Sequence, residues 1–219
     1  MPLLILGGMG PMAGVELHRQ LVINSEASND QEHESIIHIS ESESINDRTE
    51  YLLGRSSINP GKQASELIKK YNDREYILGV PCNTFHSKSI WKEFVLDMNE
   101  NIRVLNMVEL VKDKVSKYNR VGLLSTSGTR HSGVYGNVIL IDNQERLDEV
   151  IYNIKCMSCG DESIKNELES MINELEADCI ILGCTELSLV IKYKMYKDKD
   201  IINPLEILSK EMLKINKSE

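Results

Sequence analysis

Two apolar runs that each lead through a glycine to a cysteine and a threonine constrain this chain more than any other feature. They are Ile77-Leu78-Gly79-Val80-Pro81-Cys82-Asn83-Thr84 and Ile180-Ile181-Leu182-Gly183-Cys184-Thr185-Glu186-Leu187. Each reads as a short buried strand that runs into a turn and the start of a helix. Similar apolar or β-branched runs occupy residues 3–6, 36–39, 121–124 and 138–141. Between them, Ala64, Leu67, Ile68 and Tyr71, then Val108, Val111, Val115 and Tyr118, then Ile164, Leu168, Met171, Ile172 and Leu175 follow the spacing of one buried helix face. Strands alternating with helices imply parallel sheets covered by helices.

The alternation runs twice. Leu3-Leu4-Ile5-Leu6-Gly7-Gly8 opens one half and Val121-Gly122-Leu123-Leu124-Ser125-Thr126-Ser127-Gly128 opens the other, each a strand ending in small residues. The fold class expected is α/β, with two similar lobes, each a parallel sheet flanked by helices, and an active site in the cleft between them. The first lobe takes residues 1–99 plus 203–219 and the second takes 100–202. A short strand at Ile201-Ile202 precedes a last helix, Pro204 to Ile215, that packs back on the first lobe. Ligands of open parallel sheets sit beyond the carboxyl ends of the strands, where both cysteines fall.

A net charge of -9 over 219 residues excludes nucleic acid and anionic membrane as expected partners, since both demand a basic footprint. The lysine-rich stretch from Lys192 to Lys199 also carries Asp198 and reads as a solvated helix end. No apolar run approaches the roughly 18 residues that span a bilayer. The opening apolar run breaks at Gly7 and lacks a basic flank, so it reads as a strand and the protein as cytoplasmic. Five cysteines, an odd number in a chain read as cytoplasmic, point to free thiols.

A cysteine at a strand's end and a helix's start meets unpaired backbone N–H groups and the positive end of the helix dipole. Both favour thiolate and so lower the thiol pKa. The same N–H groups, with the side chains of Asn83, Thr84 and Thr185, can hold a carboxylate. A thiolate beside such a nest suits removal of the proton α to that carboxylate, and a second thiol on the opposite face can return it with inversion. The plain alternative is that Cys82 and Cys184 are small buried hydrophobes. Cys179, inside its strand, fits that alternative well. Cys156 and Cys159 form a lone Cys-x-x-Cys without the further ligands that zinc requires, so no metal is expected.

Gly7-Gly8-Met9-Gly10-Pro11, Pro81-Cys82-Asn83-Thr84-x-His86 and Leu182-Gly183-Cys184-Thr185-Glu186-Leu187 resemble the signature segments of the aspartate/glutamate racemase family, nearer its aspartate racemase branch. The resemblance continues through Leu124-x-Thr126-x-Gly128-Thr129 and Gly133-x-Tyr135. It implies a cofactor-independent racemase in which Cys82 and Cys184 serve as base and acid, Cys82 toward the D- and Cys184 toward the L-enantiomer. It also implies that Arg48, in Asp47-Arg48-Thr49, and Lys155 bind the substrate's side-chain carboxylate. Met9, Asn83, Thr84, Thr126, Thr129, Thr185 and Glu186 complete the implied binding set, with Glu186 polarising the thiol, meeting the substrate ammonium or capping its helix. His86 either tunes Cys82 or caps backbone. The implied partner is a small acidic amino acid, aspartate or glutamate, and the implied assembly a homodimer.

Several positions depart from the family pattern: Asn46, Phe85, Ser188, Asn203 and the Cys156-Met157-Ser158-Cys159 turn. Phe85 and that turn are expected to reshape the side-chain pocket. Two other readings stay open. Relatives of this architecture include decarboxylases and cis-trans isomerases, and Gly8-x-Gly10-x-x-Ala13 fits the dinucleotide-binding fingerprint, although Pro11 removes an N–H that a phosphate would use.

Overall fold

Leu3, Leu4, Ile5 and Leu6 are all fully buried in the computed structural model of the protein, which describes residues 1–156 and 162–218. A strand buried on both faces belongs at the centre of a helix-covered parallel sheet. That strand, β1 (Leu3–Leu6), pairs in parallel with β2 (Ile36–Ile39) on one side and β3 (Tyr76–Gly79) on the other, and β3 pairs with β4 (Ile102–Leu105). Side chains alternate across it: Leu4 and Leu6 enter one core layer with Ile68, Leu78 and Phe94, while Leu3 and Ile5 enter another with Leu17, Ile77 and Met212. The helices of this half are α1 (Pro11–Ile23), α2 (Arg48–Leu52), α3 (Pro60–Ile68) and α4 (Lys88–Leu96).

The chain then crosses through α5 (Met107–Val115) to a second sheet of order β6-β5-β7-β9-β8. Its members are β5 (Val121–Leu124), β6 (Ile139–Leu140), β7 (Cys179–Leu182), β8 (Met195–Tyr196) and β9 (Lys199–Ile202). All neighbours pair in parallel except β8 and β9. Here α6 (Ser127–Ser132), α7 (Gln144–Lys155), α8 (Glu162–Glu174) and α9 (Leu187–Val190) complete the layers. Cys179 is fully buried with Val108, Val111, Val115 and Ile181, so it is core. The final helix, α10 (Pro204–Ser218), buries Leu205, Leu208 and Met212 against the first sheet, and Ile207 packs against the second core.

Three expectations need correction. A lobe boundary at residue 99 falls ahead of β4, which the first sheet keeps; Arg103 interrupts the apolar run and hides the strand from periodicity. The Lys192–Lys199 stretch is a β-hairpin, not a helix end, with Tyr193 stacked on Tyr196 at 5.4 Å and both hydroxyls donating to Glu169. The segments after the two cysteines are a single 3₁₀ turn at Thr84–His86 and the four-residue α9, too short for a developed helix dipole. No helix among the described residues is long and apolar enough to cross a membrane.

Candidate active site

The carboxyl ends of β1, β3, β5 and β7 converge, and the turns that follow them enclose one cavity. Met9, Asp47, Arg48, Cys82, Asn83 and Thr84 line it from the first half, and Thr126, Lys155, Gly183, Cys184, Thr185 and Glu186 from the second, with Thr49 between. The turns reach this position because glycines let backbone pass where a side chain would collide. A β-carbon on Gly183 would stand 2.4 Å from Leu123 Cδ1, and one on Gly10 would stand 2.5 Å from a Glu186 carboxylate oxygen.

Glu186 is 4% exposed and joins the second cysteine to that glycine turn. Cys184 Sγ donates to Glu186 Oε2 at 3.0 Å. Thr185 Oγ1 lies 3.2 Å from the same oxygen and 3.2 Å from the Pro81 carbonyl in the turn after β3, two acceptors sharing one proton. Burial, then the Glu186 charge, pushes the Cys184 thiol well above its ordinary range, while Lys155 pulls it down. The expected lowered pKa is therefore reversed at this cysteine, because desolvation outweighs a one-turn helix start. Lys155 shows the counterpart: burial lowers it, but Cys184, Glu186 and Cys82 together hold the ammonium above its usual value.

Asn83 presents an amide with one end tied and the other free. Its Oδ1 accepts from the Tyr135 hydroxyl, which comes from the second half, and its Nδ2 is buried without a partner. Burial holds the Tyr135 hydroxyl far above its usual titration range, so it stays a donor. Arg48 spends its two outer nitrogens on the carbonyls of Asn46 (3.3 Å) and Met9 (3.2 Å), leaving Nε unpaired. Thr84 Oγ1 lies 2.7 Å from Thr129 Oγ1 and 3.4 Å from Thr126 Oγ1, a hydroxyl trio spanning the two halves. Thr126 also caps α6 by accepting from the Thr129 N–H.

Of the residues marked in the sequence, Thr129 is not on the cavity wall; it is 1% exposed and stands behind Thr84. His86 caps backbone: Met107 N–H donates to Nε2 at 3.2 Å, which places the proton on Nδ1 for the Cys82 carbonyl at 2.8 Å. Phe85 does not narrow the cavity, since it is fully buried against Phe94 in the first core. Ser188 turns inward and donates to the Thr185 carbonyl at 2.7 Å. Cys156 is exposed, and Cys159 lies outside the described residues. The glycines of the fingerprint serve packing within the chain, with Gly8 closing on the backbone of Glu41 and Ser42 and Gly10 on Glu186. Sequence reasoning passed over the Tyr135 hydroxyl as a functional group, although Gly133-x-Tyr135 stood in a matched segment.

Comparison with known proteins gives this arrangement a family. The profile of the Asp/Glu/hydantoin racemase family matches residues 6–210. The chain belongs to the Asp/Glu/hydantoin racemase family. Among solved structures, an aspartate racemase from Picrophilus torridus aligns over 98% of this chain and 94% of its own, at 28% identity and a TM-score of 0.81. An aspartate racemase homologue from Pyrococcus horikoshii aligns over 100% and 99%, at 18% identity and 0.70. A glutamate racemase from Francisella tularensis in complex with D-glutamate aligns over 99% and 81%, at 17% identity and 0.65. The two-sheet α/β architecture of this racemase family is thus the architecture of this chain.

Proposed function

We propose that the protein interconverts the enantiomers of aspartate or glutamate by proton transfer at Cα between Cys82 and Cys184, without a cofactor. The observation that carries this reading is that the two cysteine turns, from separate sheets, line one cavity that also holds Arg48 and Lys155. Asn83 Nδ2 and the Thr84 and Thr185 hydroxyls suit the α-carboxylate. Arg48 and Lys155 supply two positive charges for the side-chain carboxylate, in a chain whose net charge would otherwise repel an anionic substrate.

Cys184 is the proton donor at rest, because burial and Glu186 keep it as a thiol. The Cys82 thiolate takes the Cα proton, the carbanion takes the Cys184 proton on its other face, and the centre inverts. Cys82 then holds the proton and Cys184 the charge, which Lys155 stabilises; the reverse step consumes the other enantiomer. The enclosed space is about 30 Å³, room for a water rather than an amino acid, so substrate enters when the two halves part.

Reduced protein incubated in D2O with L-aspartate, then L-glutamate, without pyridoxal phosphate, is expected to racemise one of them with deuterium at Cα. No exchange with either, or exchange that survives loss of both thiols, overturns the reading. Conversion of aspartate to a decarboxylated product would favour the decarboxylase alternative instead.

A further inference from the structure

Arg48 reaches the cysteine cavity from α2, a five-residue helix none of whose residues is fully buried. Apolar packing alone therefore does not fix where its side chain stands. The guanidinium rests on backbone instead: Nη1 donates to the Asn46 carbonyl at 3.3 Å and Nη2 to the Met9 carbonyl at 3.2 Å. A planar fork lying on two carbonyls is aimed by whatever holds those carbonyls.

The Asn46 carbonyl is held from α3. Gln63 Oε1 accepts from the Asn46 backbone N–H at 2.8 Å, and Gln63 Nε2 donates to Asn46 Oδ1 at 3.3 Å, so one amide clasps both the main chain and the side chain of Asn46. The residue that caps α3 takes hold of α2 further along, where Asn59 Nδ2 donates to the Tyr51 hydroxyl at 2.9 Å. The support is firm. Ala64 and Ile68 of α3 are fully buried in the first core, and a β-carbon on Gly61 would stand 2.1 Å from the Ile90 carbonyl oxygen of α4. Helices pressed this closely leave no room to slide.

We infer that Gln63 is a positioning residue for the Arg48 guanidinium, acting through its paired hydrogen bonds to Asn46. Gln63 is not on the cavity wall and touches no ligand there. Its two bonds set the Asn46 carbonyl, the carbonyl sets one arm of the fork, and the fork sets where a carboxylate is received. Of the five guanidinium N–H donors two are spent on backbone, and the others are left for a ligand whose placement follows the plane of the group. The inference rests on the proposed role of Arg48 in holding the substrate's side-chain carboxylate.

Calorimetric titration of the full chain with succinate and with glutarate tests this, because each carries two carboxylates and neither can be racemised. The wild type is expected to bind one of them. Gln63→Met keeps the side-chain length and the helix propensity but makes neither hydrogen bond, and is expected to bind the same acid about tenfold more weakly. In Arg48→Gln, already weakened, adding Gln63→Met should cost nothing further, since both changes remove one interaction. A merely loosened fold would weaken binding by the same factor in both backgrounds. Equal affinity of Gln63→Met and wild type, or an equal further loss in the Arg48→Gln background, overturns the inference and leaves the racemase reading standing. The expected pattern in a protein that exchanges no Cα proton of aspartate or glutamate overturns the racemase reading and leaves the role of Gln63 standing. Absence of binding of both acids by the wild type overturns the role of Arg48 and this inference with it.

Discussion

A β-carbon added to Gly128 would stand 2.3 Å from the Thr49 hydroxyl oxygen and 2.9 Å from the Thr49 β-carbon. This is backbone of α6 pressed on α2, a close approach of the two halves beside the cysteine cavity. Gly128→Ala is a wedge at that seam, while alanine itself suits the helix. We expect kcat/KM for racemisation to fall roughly a hundredfold, since misplacing catalytic groups by about 1 Å costs that much, with each half still folded. Adding Thr49→Gly removes both clashing atoms and should restore part of the loss. Unchanged kinetics in Gly128→Ala would show that the halves need not close this tightly.

Burial first, and the Glu186 carboxylate after it, keep the second thiol protonated. Glu186→Gln removes the negative charge that raises the Cys184 pKa and leaves burial in place. Alkylation of Cys184 at pH 8, followed by mass spectrometry, should therefore become several-fold faster, because the thiolate is the reacting form. Racemisation should fall at the same time, since the proton is no longer held ready on the thiol. Slower alkylation would mean that Glu186 activates the thiol rather than keeping it protonated.

Much of this was legible in the sequence, for reasons that differ by residue. Parallel strands buried on both faces are continuous apolar runs, so β1, β3 and β7 stand out, whereas β4 with Arg103 at its second position does not. The two cysteine turns were readable because strand, glycine and thiol recur in order. Their electrostatics were not, since Cys184 is governed by a cavity that both halves build. Phe85 reads as a pocket residue because it departs from the family pattern; a 3₁₀ turn places it in the first core instead. Tyr135 bonds to Asn83, a residue distant in the chain, and no local pattern marks such a pairing.

Tyr135 fixes which end of the Asn83 amide faces the cavity. Its hydroxyl donates to Oδ1 and Nδ2 is left buried without a partner, the group that the proposed function assigns to the substrate carboxylate. Tyr135→Phe strands a buried acceptor, at a cost of about 1–3 kcal/mol, and frees the amide to turn. KM should rise about tenfold, in line with about 1.4 kcal/mol, with kcat less affected. Asn83→Ala should raise KM similarly, and the double variant should be no worse than Asn83→Ala, because both changes remove one interaction. Additive effects in the cycle would separate the two residues.

His86 makes the fold acid-sensitive. Burial lowers its pKa from 6.5 to about 4, because a charged ring would stand among Trp91, Phe85 and backbone that already uses Nε2 as an acceptor. Its folded pKa lies below the unfolded value, so its contribution is complete above about pH 6.5 and is lost as pH falls toward 4. The loss amounts to about 3 kcal/mol at 1.36 kcal/mol per pKa unit. Urea unfolding at pH 7 and pH 4.5 measures it against His86→Gln. The variant should be less stable at pH 7, where the Met107 N–H loses its acceptor, yet should lose less stability than the wild type on acidification. An identical loss in both proteins would place the acid sensitivity elsewhere.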